Sequence, residues 1–163
     1  MLLMAFGLLY TPHVRVETAE IRDFHIKPVY VDPKQLHCMA KNIFYEAGGE
    51  SIKGQAAVAR VVLNRVAHGF ANTPCNVIYQ TTVVDDVKVC QFSWVCENKK
   101  RVIPIHDKQW NESQEVAKKV LLEHFRLPSL TNSLYFHADY VNPKWSKEKI
   151  TKIDRHIFYK DKQ

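Results

Sequence analysis

The stretch KNIFYEAGGES (41–51) places one carboxyl group, Glu46, between the aromatic pair Phe44–Tyr45 and the double glycine Gly48–Gly49. The aromatics favour burial, and the glycines favour the end of a helix. A carboxyl group where the two meet is partly desolvated and faces the partial negative charge of a helix C-terminus. Both effects disfavour the carboxylate and raise its pKa. An acid that gives up a proton near neutral pH needs such surroundings. A solvated residue of a last helical turn would fit the same spacing, and this helix alone weighs the two readings equally.

The elements that must hold Glu46 can be read from the flanking pattern. Asp32-Pro33 opens a helix, with Asp32 as cap, Pro33 in the first turn and Gln35 completing a capping box. Leu36, Met39, Ala40, Ile43, Phe44 and Ala47 then recur at helical spacing, and Glu46 falls at the edge of their stripe. A second helix is expected from about Ser51 to Val66, apolar along Ile52, Ala56, Ala59, Leu63 and Val66 and widened by Val58 and Val62. Glu50, in the short link, reads as an acid near that helix's N-terminus. From Gly69 to Ile105 no helical period is sustained. TTVVDDVKVCQFSWVC within it has the β-branched residues and alternation of a small β-hairpin or two. A third helix is expected over Asp107–Phe125, its face running from Trp110 through Val116, Ala117, Val120 and Leu121 to His124. LYFH (134–137) and HIFY (156–159) read as strands separated by a loop with Pro143 and Trp145. The class is therefore α+β, mainly helical, with small β-hairpins.

At 163 residues the chain has the length of one domain. Residues 1–31 read as a lead-in and 32–163 as the domain itself, expected to be a monomer. The apolar run MLLMAFGLLY is too short to span a bilayer and has no basic residue before it, so it resembles at most an atypical export signal, and a buried N-terminal segment fits it equally well. The formal charge of +6 points to an anionic partner, which could be nucleic acid, lipid or an acidic wall polymer. No basic helix interleaved with aromatics is present, and no nucleic-acid partner is expected. Of the four cysteines, Cys38 lies in a helix and reads as a small packed side chain. Cys75, Cys90 and Cys96 lie in the loop-rich middle. A disulfide of Cys75 with Cys90 or Cys96 is expected in an oxidising compartment.

Several separated blocks carry a family resemblance. NIFYEAGGESIKGQAAVARVVLNRV, PCNVIYQ (74–80), CQFSWVC (90–96), LYFHADYVNPKW (134–145) and HIFY occur in one order over residues 36–159. Together they resemble the spore-cortex-lytic and bacterial cell wall hydrolase family, whose helix pair has the form N-I-Y-x-E-A-R-G-E, then G-Q-x-A-V-A-x-V-V-L-N-R-V. The resemblance implies a lysozyme-like fold, no cofactor, and cleavage of peptidoglycan glycan strands, commonly as a lytic transglycosylase. It makes residues 32–163 the catalytic domain and Glu46 the catalytic acid. Gln91, Ser93, Tyr135 and His137 match positions that would line the glycan groove. Each has a plainer role open to it: strand-turn hydrogen bonds for Gln91 and Ser93, a core aromatic for Tyr135, a structural histidine for His137. Two departures stand out. Gly48 replaces the family's arginine, and Asp154 stands where an I-G-x-H version of the last motif has glycine.

By this resemblance Glu46 protonates the glycosidic oxygen after N-acetylmuramic acid, and the muramyl 6-hydroxyl closes a 1,6-anhydro ring. A hydrolytic muramidase would instead need a second carboxylate. Asp85, Asp86, Glu97 and Asp139 are candidates, although surface carboxylates are the base case for all four. A zinc amidase using His137 and His156 lacks an HExxH motif and a close ligand pair. A non-catalytic wall-binding module is the reading from another class. The implied location is the cell envelope, reached through the atypical signal or by phage-type release.

Overall fold

The computed structural model describes residues 30–97, 102–104, 106–123 and 125–162. Residues 1–29 of the lead-in, Ile105 and His124 lie outside these residues. Helix α1 (Pro33–Ala47) begins with Asp32 accepting from the Lys34 amide at 2.8 Å and Pro33 in the first turn. The expected capping box is not made. The Gln35 side-chain oxygen instead accepts from the Cys75 amide at 2.9 Å, holding another segment. At the helix end the Gly48 amide donates to the Phe44 carbonyl at 3.2 Å. A Cβ on Gly48 would lie 2.6 Å from that oxygen, so an arginine here would require the helix end to move.

Helix α2 (Ile52–Ala67) is capped from both near and far in the chain. Ser51 Oγ accepts from the Gly54 amide at 3.2 Å. Asp154 Oδ2 accepts from the Ser51 amide at 3.0 Å and from its hydroxyl at 2.6 Å, lying directly over Gly54. This places a carboxylate at the positive end of the helix. Asp154 has φ +49° in a tight turn, and aspartate is among the side chains that tolerate this region. Asp154→Ala is expected to cost about 1–2 kcal/mol through the lost cap and the left-handed strain. Asp154→Gly should cost less, since only the cap is lost; denaturant midpoints of the two variants measure the difference.

Helix α3 (Pro74–Ile78) follows, then the expected hairpin of β1 (Thr81–Val84) and β2 (Val87–Cys90). Its turn residues Asp85 and Asp86 both have positive φ, 49° and 60°, as a tight hairpin turn requires. Helix α4 (Ser93–Cys96) and α5 (Lys108–Leu121) come next. The long helix starts one residue later than expected, because Asp107 caps it by accepting from the Trp110 amide at 3.0 Å. It ends four residues before Phe125, whose carbonyl accepts from Arg60 Nη2 at 2.8 Å. A three-stranded antiparallel sheet, β3 (Tyr135–Ala138), β4 (Glu148–Ile153) and β5 (His156–Lys160), closes the chain in the order β3-β5-β4. β4 was not among the two expected strands; EKITKI is charged, mostly solvent-facing and interrupted by a register shift at Lys149/Thr151.

Two cores share α2 as a common wall. Its Ala56, Ala59 and Val62 pack with Met39, Ile43, Ile78, Trp110 and Val120 from the other helices. Its Ala57 and Val61 pack with Leu130, Ile153 and Phe158 beneath the sheet. Small residues on both sides let helix and sheet approach closely, which fixes the end of α1 relative to β3 and β5.

The cysteine pairing differs from expectation. Cys38 bonds Cys75 and Cys90 bonds Cys96, with Cα separations of 5.3 and 5.7 Å. Cys38 is thus more than a packed side chain, because α3 docks on α1 with its Cys75 amide held by Gln35. Cys90 and Cys96 are joined by the reversal from β2 into α4, which leaves neither for Cys75. Replacing Cys38 and Cys75 together by serine is expected to cost about 3–4 kcal/mol, since a long loop is released. Thermal melts against a Cys90/Cys96 double variant, whose loop is far shorter, give the comparison.

Candidate active site

Glu46 ends α1 at the wall of a cavity of about 450 Å³. Three segments bound it: the end of α1 and its neighbour α2, the loop from β2 into α4, and the sheet edge with the loop after β3. Glu46, Gln91, Ser93, Tyr135 and His137, singled out from sequence, all line this one space. The Glu46 pKa is raised from 4.5 to about 7, chiefly by burial. The Arg65 guanidinium opposes that rise, and the Glu97 carboxylate adds to it. Near neutral pH the group therefore has both the proton and the readiness to give it up.

Arg65 lines the same cavity, and sequence reading missed it. It is 4% exposed, and burial brings its pKa down to about 10, which leaves it a cation. Its Nε donates to the Leu134 carbonyl at 2.8 Å. The Gln91 amide, turned so that its oxygen faces the guanidinium, accepts from Nη1 at 2.9 Å. The signal was its position: Arg65 follows Val58 by seven residues and Val61 by four, on the buried side of α2. A charge in that stripe needs a buried partner set.

The opposite wall is aromatic. Tyr45 and Trp94 lie with ring centroids 4.7 Å apart, and Trp94 Nε1 donates to Asn42 Oδ1 at 3.1 Å. Asn42, fully buried on α1, thereby fixes the indole over the cavity. On the sheet side His137 is held at both nitrogens. Nδ1 lies 2.8 Å from the Ala138 carbonyl and Nε2 lies 2.8 Å from the Tyr159 hydroxyl. Because a carbonyl only accepts, the neutral ring carries its proton on Nδ1 and accepts from Tyr159. Tyr135 is half-buried, with Lys147 Nζ 4.0 Å from its ring centre.

The four candidate second carboxylates separate. Glu97 lines the cavity with Glu46, whereas Asp85 and Asp86 occupy the hairpin turn. Asp139 lies outside the main cavity, 2.8 Å from Lys152 Nζ and 3.9 Å from Arg155 Nε. Among the described residues, no three His, Cys, Asp or Glu side chains are grouped as a metal ion would need, and no helix is long and apolar enough to cross a membrane.

A helical body with small antiparallel sheets, and a buried acid opening on a polar and aromatic cavity between them, defines an enzyme domain of the lysozyme-like α+β class. The chain belongs to the Cell Wall Hydrolase family, which matches residues 49–159. Glu46 lies just before that span. The chain is 32% identical over 130 residues to the spore cortex-lytic enzyme of Bacillus cereus, covering 77% of this chain and 44% of that protein. It is 28% identical over 130 residues to the spore cortex-lytic enzyme of Oceanobacillus iheyensis, covering 77% and 41%. It thus spans less than half the length of these curated relatives. Among solved structures, the catalytic domain of the Bacillus cereus SleB protein superposes with TM-score 0.62 at 25% identity, over 82% of this chain and 94% of that one. The catalytic domain of a germination-specific lytic transglycosylase, SleB from Bacillus anthracis, gives 0.60 at 27%, over 82% and 100%.

Proposed function

We propose that this chain cleaves the glycan strands of peptidoglycan between N-acetylmuramic acid and N-acetylglucosamine as a lytic transglycosylase, with Glu46 as its one catalytic carboxyl group. The observation that carries the reading is a carboxyl group raised to a pKa of about 7 in a cavity walled by aromatic and amide side chains. A glycosidic oxygen leaves poorly until protonated, so Glu46 gives its proton to that oxygen as the bond to C1 breaks. Positive charge develops on the muramyl ring, and the new Glu46 carboxylate serves as the base. The muramyl 6-hydroxyl adds to C1, its proton passes to Glu46, and the 1,6-anhydro product leaves the acid ready for another round. Gln91 and Ser93 on one side, with Tyr135 on the other, supply hydrogen-bonding groups to hold the sugars, and His137, its two nitrogens held by the Ala138 carbonyl and the Tyr159 hydroxyl, presents its ring to them. The bacterial envelope is the location this substrate requires.

A hydrolytic muramidase is the second reading, favoured by Glu97 in the same cavity. Mass spectrometry of muropeptides released from purified peptidoglycan, with EDTA present, decides between them. Anhydromuramyl ends support the transglycosylase. Reducing muramyl ends that vanish in Glu97→Gln would replace it with the hydrolase. Intact wall that retains the protein would leave a binding module.

A further inference from the structure

We propose that the glycan groove extends past the catalytic cavity into a second sugar-binding hollow centred on Trp145, which holds further neutral N-acetylaminosugar residues of the same strand. This rests on the glycan-cleaving reading above and adds where the rest of the strand lies.

The hollow has a volume of about 340 Å³ and joins the catalytic cavity through His137, Val141 and Trp145, which line both. Trp145 is 38% exposed, although its ring is fixed by three neighbours. Tyr135, His137 and Tyr159 lie with ring centroids 6.0, 5.8 and 5.8 Å from it. An indole left in water yet held rigid is a preorganised surface, able to take the apolar face of a pyranose ring at little ordering cost. Asn142 and Asp139 line the same hollow and offer amide and carboxylate groups to hydroxyl and acetamido substituents.

The charges select the ligand class. Asp139 is the hollow's one acidic lining residue, and no Lys or Arg lines it. Lys152 and Arg155 hold that carboxylate from outside. With the Asp139 carboxylate already paired to Lys152 and Arg155 and no Lys or Arg in the lining, the hollow offers a phosphate or an acidic peptide no unpaired cation, whereas a neutral, hydroxyl-rich ring meets a stacking surface and hydrogen-bonding groups. A groove continuing past the reacting bond also fits cleavage inside a strand, with no chain end required.

The test measures affinity of the Glu46→Gln protein for neutral N-acetylglucosamine oligomers of two and six sugars by titration calorimetry. The six-sugar fragment is expected to bind at least roughly tenfold tighter. Trp145→Leu, which keeps apolar bulk but removes the flat face, should bring that ratio close to one, and Trp145→Phe should keep most of it. The ratio is taken within one variant, so a reduced folded fraction does not alter it. An undiminished ratio in Trp145→Leu overturns the second hollow. If the chain with Glu46 intact still releases anhydromuropeptides, the functional reading then stands without it. If the intact chain releases nothing and no fragment binds, the functional reading has failed and this proposal fails with it.

Discussion

Glu46→Gln is expected to reduce muropeptide release by roughly 10²–10⁴-fold, the scale of a lost general acid, while making the folded chain more stable above neutral pH. The two effects share one cause. Burial raises the folded-state pKa from 4.5 to about 7, so folding disfavours the carboxylate. Below pH 4.5 the group is protonated whether folded or unfolded, and it brings no penalty. Between 4.5 and 7 the unfolded chain ionises first and the penalty grows; above 7 it is constant, at roughly 3–4 kcal/mol. Glutamine never ionises, so the variant should melt higher at pH 8 and alike at pH 4. Wild-type activity should fall as pH rises through about 7, because the proton needed by the leaving oxygen is then gone. Undiminished release by the variant would remove Glu46 from the mechanism, whatever its effect on melting.

Arg65→Met is expected to move that alkaline limb to higher pH and to cost stability as well. The Arg65 cation opposes the rise in the Glu46 pKa, so its loss leaves the carboxyl group harder to ionise still. The Leu134 carbonyl and the Gln91 amide oxygen also lose their donor. At pH 8, where wild-type Glu46 is an anion facing this cation, the loss should reach roughly 3–5 kcal/mol. At pH 5 it should be smaller, because there Glu46 is protonated and only the two acceptors are orphaned, with no uncompensated buried carboxylate beside them. Urea unfolding at both pH values, with a pH–rate profile, measures the pair of effects. A limb that stays in place would show that Arg65 supports Leu134 and Gln91 but does not set the acid.

What the sequence made legible followed from period and punctuation. α1 and α2 carry apolar stripes of four turns between a capping Asp or Ser and a glycine or turn, and their observed starts agree with those signals. α3 and α4, at five and four residues, are too short to display a period. β4 was hidden because EKITKI spends its side chains on solvent and ion pairs, Glu148 with Lys160 among them, so no apolar alternation announces it. Cysteine partners depend on which elements dock, and the Gln35 bond to the Cys75 amide that brings α3 to α1 spans forty residues of sequence. The same limit applies to the site. Glu46 was readable because its pKa argument is local. Arg65 acts through the Leu134 carbonyl and Gln91, groups that only the tertiary fold brings near.

The carboxylate of Asp154 over the first turn of α2 also constrains the order in which this chain can change. A methyl group on Gly54 would overlap Asp154 Oδ2 and approach Glu50 Cβ to 3.0 Å. While Asp154 remains, a side chain at 54 must displace the group that caps the helix and so forfeits both favourable contacts at once. With glycine at 154, most of that obstacle is gone, and the remaining crowding falls on a partly exposed side chain. The two positions, a hundred residues apart, are therefore coupled in descent: substitution at 154 opens a path to substitution at 54, while the reverse order passes through a weakened intermediate.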